Sequence, residues 1–146
     1  MKGLAKFFCN FENYWNYFDY MINIAKQIEY WQGSAISNIE TAEILVTSRK
    51  YIEGMFFCHL CIEKILKALV VKQTGNIPSK THDLFHLADI SKILITEDQI
   101  GFMQILMKYQ LEGRYPEYYP KAPSPVKITE YLNQTKILFQ CFSKML

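Results

Sequence analysis

Three side chains spaced four residues apart, His59, Glu63 and Lys67, form the densest chemistry-bearing grouping in this 146-residue chain. They lie in Met-Phe-Phe-Cys-His-Leu-Cys-Ile-Glu-Lys-Ile-Leu-Lys-Ala-Leu-Val-Val, residues 55–71, which contains neither Gly nor Pro. Its Leu, Lys, Glu and Ala content favours a helix, and residues four apart stack on one helix face. Lys64 stands beside this line, and nearly every other direction around the helix is apolar. A helix apolar almost all round is buried, so its ionic line needs partners. An imidazole, a carboxylate and an ammonium in a row suit a ligand-binding or catalytic face. They equally suit a structural ion-pair line in the core or at a dimer seam. Arg49 and Arg114 are the only arginines, and Arg114 is the expected long-range partner of Glu63.

Other constellations carry less. Cys58-His59-Leu60-Cys61 would place two thiols roughly on one helix face, but a structural zinc needs four ligands. Cys9 and Cys141 are isolated, so buried free thiols are the expectation, with no metal site and no cofactor. His82 and His86 are four apart without the intervening Glu of a metalloprotease helix. His82 reads as part of a helix cap and His86 as a side-facing residue. No Gly-rich phosphate loop and no Gly-x-Ser-x-Gly nucleophile turn occurs. Gly33-Ser34 lacks the paired aspartates of a nucleotidyltransferase.

The composition fits one domain with a sizeable core: half the residues are hydrophobic and 15% are aromatic. A net charge of +2 with no basic run argues against a broad nucleic-acid footprint. It leaves room for a small nucleotide or RNA site. No signal-peptide pattern stands out and no apolar run approaches the ~20 residues of a membrane span. A cytoplasmic protein with reduced thiols is expected.

The positioning elements read as helices throughout. Phe7, Phe8, Phe11, Trp15, Phe18, Met21, Ile22, Ala25 and Ile28 recur at spacings of three and four and predict an amphipathic, aromatic-rich N-terminal helix. Its polar face holds too few Lys for a membrane-surface helix. Gly33-Ser34 is expected to open a second helix reaching about Arg49. The central helix should stop at Gly75, before Pro78. Thr81 is expected to cap a helix reaching about Ile93. Thr96 with Gln99 forms a possible capping box for another that closes near Gly113. Arg114-Tyr-Pro-Glu-Tyr-Tyr-Pro120 reads as a rigid loop, and Ser124-Pro125 opens the last helix. No strand-like alternation stands out. The expected fold is all-α: an up-and-down helical bundle of about five helices plus the N-terminal helix. Residues 1–30 form an extension and residues 31–146 the bundle domain.

His59-Leu60-x-x-Glu63-Lys64-x-Leu66-Lys67-Ala68-Leu69, then Gly75, Thr81-His82-Asp83-Leu84 and Arg114-Tyr115-Pro116-Glu117, resemble the HEPN domain in order and spacing. The resemblance covers roughly residues 31–146. It implies a helical bundle that pairs as a homodimer. It also implies a small prokaryotic protein whose partner is a minimal nucleotidyltransferase, in a toxin–antitoxin-type module. Many such proteins are metal-independent ribonucleases that use an Arg, a short spacer and a His. Here Arg114 matches the Arg, but Tyr118, Tyr119 and Pro120 stand where the His would fall, and no His follows His86. The acid–base group for attack by a ribose hydroxyl is therefore missing, and no catalytic residue is assigned. Arg114 can still bind a phosphate, and Tyr115, Tyr118 and Tyr119 can stack a base. The candidate ligand-binding set is Arg114, Tyr115, Tyr118, Tyr119, His59, Glu63 and Lys67. The leading expectation is a non-catalytic binding and assembly module. A ribonuclease with a substituted base (His59 or His82) and a purely structural dimer stay open as alternatives.

Overall fold

A computed structural model describes the backbone of residues 2–146 and the side chains of residues 23–146. Among the described residues there are five α-helices, one short 3₁₀ turn and no strand. Helix α1 spans Lys2–Thr47, α2 Tyr51–Thr74, α3 Leu84–Ile90, α4 Glu97–Met107 and α5 Pro125–Ser143, with the 3₁₀ turn at Pro116–Tyr118. The all-α bundle expected from the sequence is the fold observed.

Helix α2 is the hub. Its buried residues run from Gly54 to Val71 with few interruptions, and α1, α3, α4 and α5 all pack on it. Met55, Ile62, Ile65, Leu66, Leu84, Leu87, Met103, Leu106, Ile128 and Phe142 share one continuous core. At the tight α1–α2 crossing, a Cβ built on Gly54 would come within 2.8 Å of Val46 Cγ2. A glycine there lets the two helices approach closely. Lys136 pairs with Glu43, tying α5 to α1 across the outside of the bundle.

Several boundaries follow the expected chemistry. Gly75 ends α2 in the left-handed conformation, φ 66°, where glycine pays no Cβ penalty. Thr96 and Gln99 form a reciprocal capping box on α4. The Ser124 side chain accepts a hydrogen bond from the Lys127 N–H with Pro125 in the first turn of α5.

Others differ. No break occurs at Gly33-Ser34: one helix runs through both. A Cβ at Gly33 would meet nothing within 4 Å, so the site is open and the glycine costs only about 1 kcal/mol of helix propensity. The expected pair of helices is therefore one. Of the apolar stripe expected from Phe7 to Ile28, residues 7–22 lie outside the described side chains, while Ala25 is exposed and Ile28 half-buried. The cap of α3 is Asp83, whose carboxylate accepts from the N–H groups of Phe85 and His86. Thr81 sits two residues before it, its hydroxyl accepting from the Asp83 N–H. Helix α3 stops at Ile90, short of Ile93, and Lys92 follows in a left-handed conformation, φ 54°. Helix α4 stops at Met107, six residues before Gly113, although Tyr109 and Leu111 beyond it remain buried. Among the described residues no helix is long and apolar enough to cross a membrane.

Candidate functional site

The four-residue spacing places His59, Glu63 and Lys67 on one line of α2, and all three are buried. Lys67 Nζ donates to Glu63 Oε1 at 2.8 Å, and Lys64 Nζ stands 4.0 Å from the same oxygen. The other carboxylate oxygen faces His82, whose Nδ1 lies 3.0 Å from Glu63 Oε2. Burial alone pushes the Glu63 carboxyl up. Hydrogen bonds from Lys67 and His82, with the charge of Lys67, outweigh it and hold the carboxyl below its usual range.

The expected partnership of Glu63 with Arg114 is overturned. Arg114 Nη1 donates to the Lys108 carbonyl at 3.1 Å, and Glu63 is satisfied by Lys67 and His82 instead. The reason is proximity: Lys67 is one helical turn away and always adjacent. The segment after Gly75, in turn, folds back so that His82 rests on α2. His82 is the site residue that spacing understated. Its carbonyl accepts the Nε2–H of His59 at 3.1 Å, and its Nε2 lies 3.2 Å from Glu112 Oε2. Its place in the Thr81-His82-Asp83-Leu84 motif was a sequence signal for it, as was its standing as a substitute base.

His59 is fixed as a neutral imidazole. Its Nε2 must carry the proton, because a carbonyl only accepts. Its Nδ1 is buried without a hydrogen bond, 3.8 Å from Glu63 Oε2, too far for one. Burial drives the imidazole from 6.5 down to about 4, against the opposing pull of Glu63. At the outer end of the line Trp31 of α1 covers the lysines, its ring 5.0 Å from Lys64 Nζ and 5.2 Å from Lys67 Nζ.

Cys58 and Cys61 are buried free thiols. Burial raises Cys58 to about 11 and pushes Cys61 up further, so neither is a poised nucleophile or ready metal ligand. Among the described residues no group of three His, Cys, Asp or Glu side chains could hold a metal.

The loop after α4 is a separate region. Tyr115 and Tyr118 are each 72% exposed and Tyr119 is 37% exposed, while Arg114 is half-buried. Tyr109 anchors the far side, its hydroxyl donating to the Lys121 carbonyl at 3.3 Å. The seven sequence-derived candidates therefore divide: His59, Glu63 and Lys67 meet in the core, while Arg114, Tyr115, Tyr118 and Tyr119 ride the surface loop. Glu112 links the two through His82.

The HEPN domain family model matches residues 28–145, well over half of the chain. The chain belongs to the HEPN domain family. Two solved structures share its HEPN-type fold. The crystal structure of TT1696 from Thermus thermophilus aligns with TM-score 0.70 at 20% identity, covering 82% of this chain and 98% of that one. The crystal structure of ST0689, an archaeal HEPN homologue, aligns with TM-score 0.56 at 20% identity, covering 81% and 96%. No curated protein sequence matches the chain significantly.

Proposed function

We propose that this HEPN protein is a non-catalytic binding and assembly module. In this reading it forms a homodimer, partners a nucleotidyltransferase in a toxin–antitoxin-type pair, and holds a nucleotide or RNA end on the Arg114 loop. One contrast carries the reading. His59 and Lys67, two of the groups that could move protons, are committed inside the core, whereas Arg114 stands beside three tyrosines that face solvent. A guanidinium suits phosphate, and exposed aromatic rings suit stacked bases. Family membership supports the partner, and exposed Ile44 of α1 and Ile137 of α5 are apolar surface that a second copy can cover.

The test is a paired assay with purified protein and a fluorescent single-stranded oligoribonucleotide. Binding that weakens in Arg114→Ala, with the RNA left intact, is the expected result. Metal-independent cleavage lost in both Arg114→Ala and His82→Gln would instead make the protein a ribonuclease using His82, held by Glu63, as its base. Light scattering should give the mass of a dimer at tens of micromolar. A monomer mass at that concentration removes the assembly half of the reading.

A further inference from the structure

His82 is gripped from two sides. Its Nδ1 faces buried Glu63 at 3.0 Å and its Nε2 faces Glu112 at 3.2 Å. Both ring nitrogens of His82 therefore stand within hydrogen-bond reach of a carboxylate oxygen. The two contacts are unequal. Glu63 has no exposed surface and is also held by Lys67, so it cannot leave. The Glu112 side chain is 62% exposed and precedes Gly113, which has φ +74° and open space where a Cβ would stand. The outward contact is therefore the replaceable one.

What could replace it follows from the atom left behind. Glu63 stays paired with Lys67 and with the inner ring nitrogen, so departure of Glu112 leaves the outer nitrogen of His82 open to another oxygen partner. Arg114 lies two residues from Glu112, at most about 8 Å away between Cα atoms. It uses Nη1 on the Lys108 carbonyl and keeps its other guanidinium donors for an acceptor. The Glu112 carboxylate oxygen on the outer nitrogen of His82 occupies the place that a phosphate oxygen would take.

We propose that His82 is a phosphate-contacting residue of the Arg114 loop site, and that Glu112 occupies it in the free protein until a phosphate group of a nucleotide or RNA end takes its place. This rests on the loop-binding reading above and adds to it a residue from a different segment and a built-in competitor.

The probe is adenosine 5′-monophosphate, with adenosine as control, titrated into the full chain and followed by calorimetry and by NMR of the histidine rings. The monophosphate should bind, adenosine should bind far less, and the His82 ring signals should move while those of His59 stay. Glu112→Gln, at an exposed position, should tighten binding by about tenfold, the scale of one charge-assisted hydrogen bond. His82→Gln should lose a similar factor. If the monophosphate binds in an Arg114-dependent way while His82 stays still and Glu112→Gln changes nothing, the exchange is overturned and the loop-binding reading survives. If neither wild type nor Glu112→Gln binds the monophosphate, the exchange is overturned as well, and oligoribonucleotide binding decides the broader reading alone.

Discussion

The α2 polar line and the Arg114 loop use overlapping chemistry in opposite settings. In the line, Glu63 has no solvent exposure and three cations or imidazoles within 3.8 Å, counting His59, Lys67 and His82. In the loop, Tyr115 and Tyr118 keep most of their surface in water. A buried ionic cluster is held by mutual satisfaction, because each charge left alone in the core is costly. An exposed aromatic loop gains nothing from hiding, and its rings are available to a partner. The line is therefore expected to govern stability and the loop to govern recognition.

The largest effect should come from cutting the line at its centre. Glu63→Ala leaves the Lys67 ammonium buried without its carboxylate and strips His82 of its inner acceptor. A loss of roughly 3–5 kcal/mol is expected, read as a lowered urea midpoint. Adding Lys67→Met to Glu63→Ala should recover part of it, since the two residues are in contact. Strictly additive losses would show that the pair is not coupled and that the line is not the structural half of the comparison.

Acid should act on the same region. An unfolded histidine takes up a proton near 6.5, whereas folded His59 stays neutral down to about 4. Between those values the unfolded chain binds more protons, so stability is full above about 6.5 and falls as the pH drops toward 4. The fall is worth about 3 kcal/mol for a group shifted that far. Glu63 adds in the same direction. Its folded pKa is depressed, so its contribution is present above the unfolded value and is lost as pH falls through the folded one. His59→Gln should flatten the part of the profile between pH 6.5 and 4 while leaving the lower part. A wild-type midpoint constant from pH 7 to 4.5 would break this account.

Local chemistry made much of this legible from the sequence. The apolar surround of residues 55–71, the Gly75 stop, the Thr96–Gln99 box and the Ser124-Pro125 start are all decided within one or two helical turns, and each is found. The order of the HEPN motifs located the fold. What the sequence hid was tertiary. Gly33 looks like a boundary, yet it is tolerated within α1, where its side-chain position is open. Thr81 and Asp83 are both plausible caps, and only the path of the chain selects Asp83. Glu63 needed a cation, and scarcity of arginine made Arg114 attractive. The fold supplies Lys67 from the next turn and His82 from a connection nineteen residues on. No spacing rule reports where a connection folds back.

The smallest expected change in stability, and the one that sharpens the comparison most, comes from the loop. Tyr115→Ala and Tyr118→Ala remove rings that are mostly in water, and surface substitutions of that kind stay within about 0.5 kcal/mol of wild type. Neither residue is part of the buried core. Each ring can still stack one base, and such contacts are worth about 1–3 kcal/mol by alanine substitution. Thus each variant should keep the wild-type urea midpoint while weakening oligoribonucleotide binding by roughly five- to over a hundredfold. Tyr115→Phe should retain most of the binding, because stacking needs the ring and not the hydroxyl. The same two measurements on Glu63→Ala should give the reverse ordering: a large drop in stability, with binding by the folded fraction changing only as far as His82 is disturbed. If the tyrosine variants lower the stability by about 2 kcal/mol or more, the rings are packing residues and the division between a structural line and a recognition loop fails. If both midpoint and binding match wild type, the loop is not the recognition surface, although the buried line keeps its role in stability.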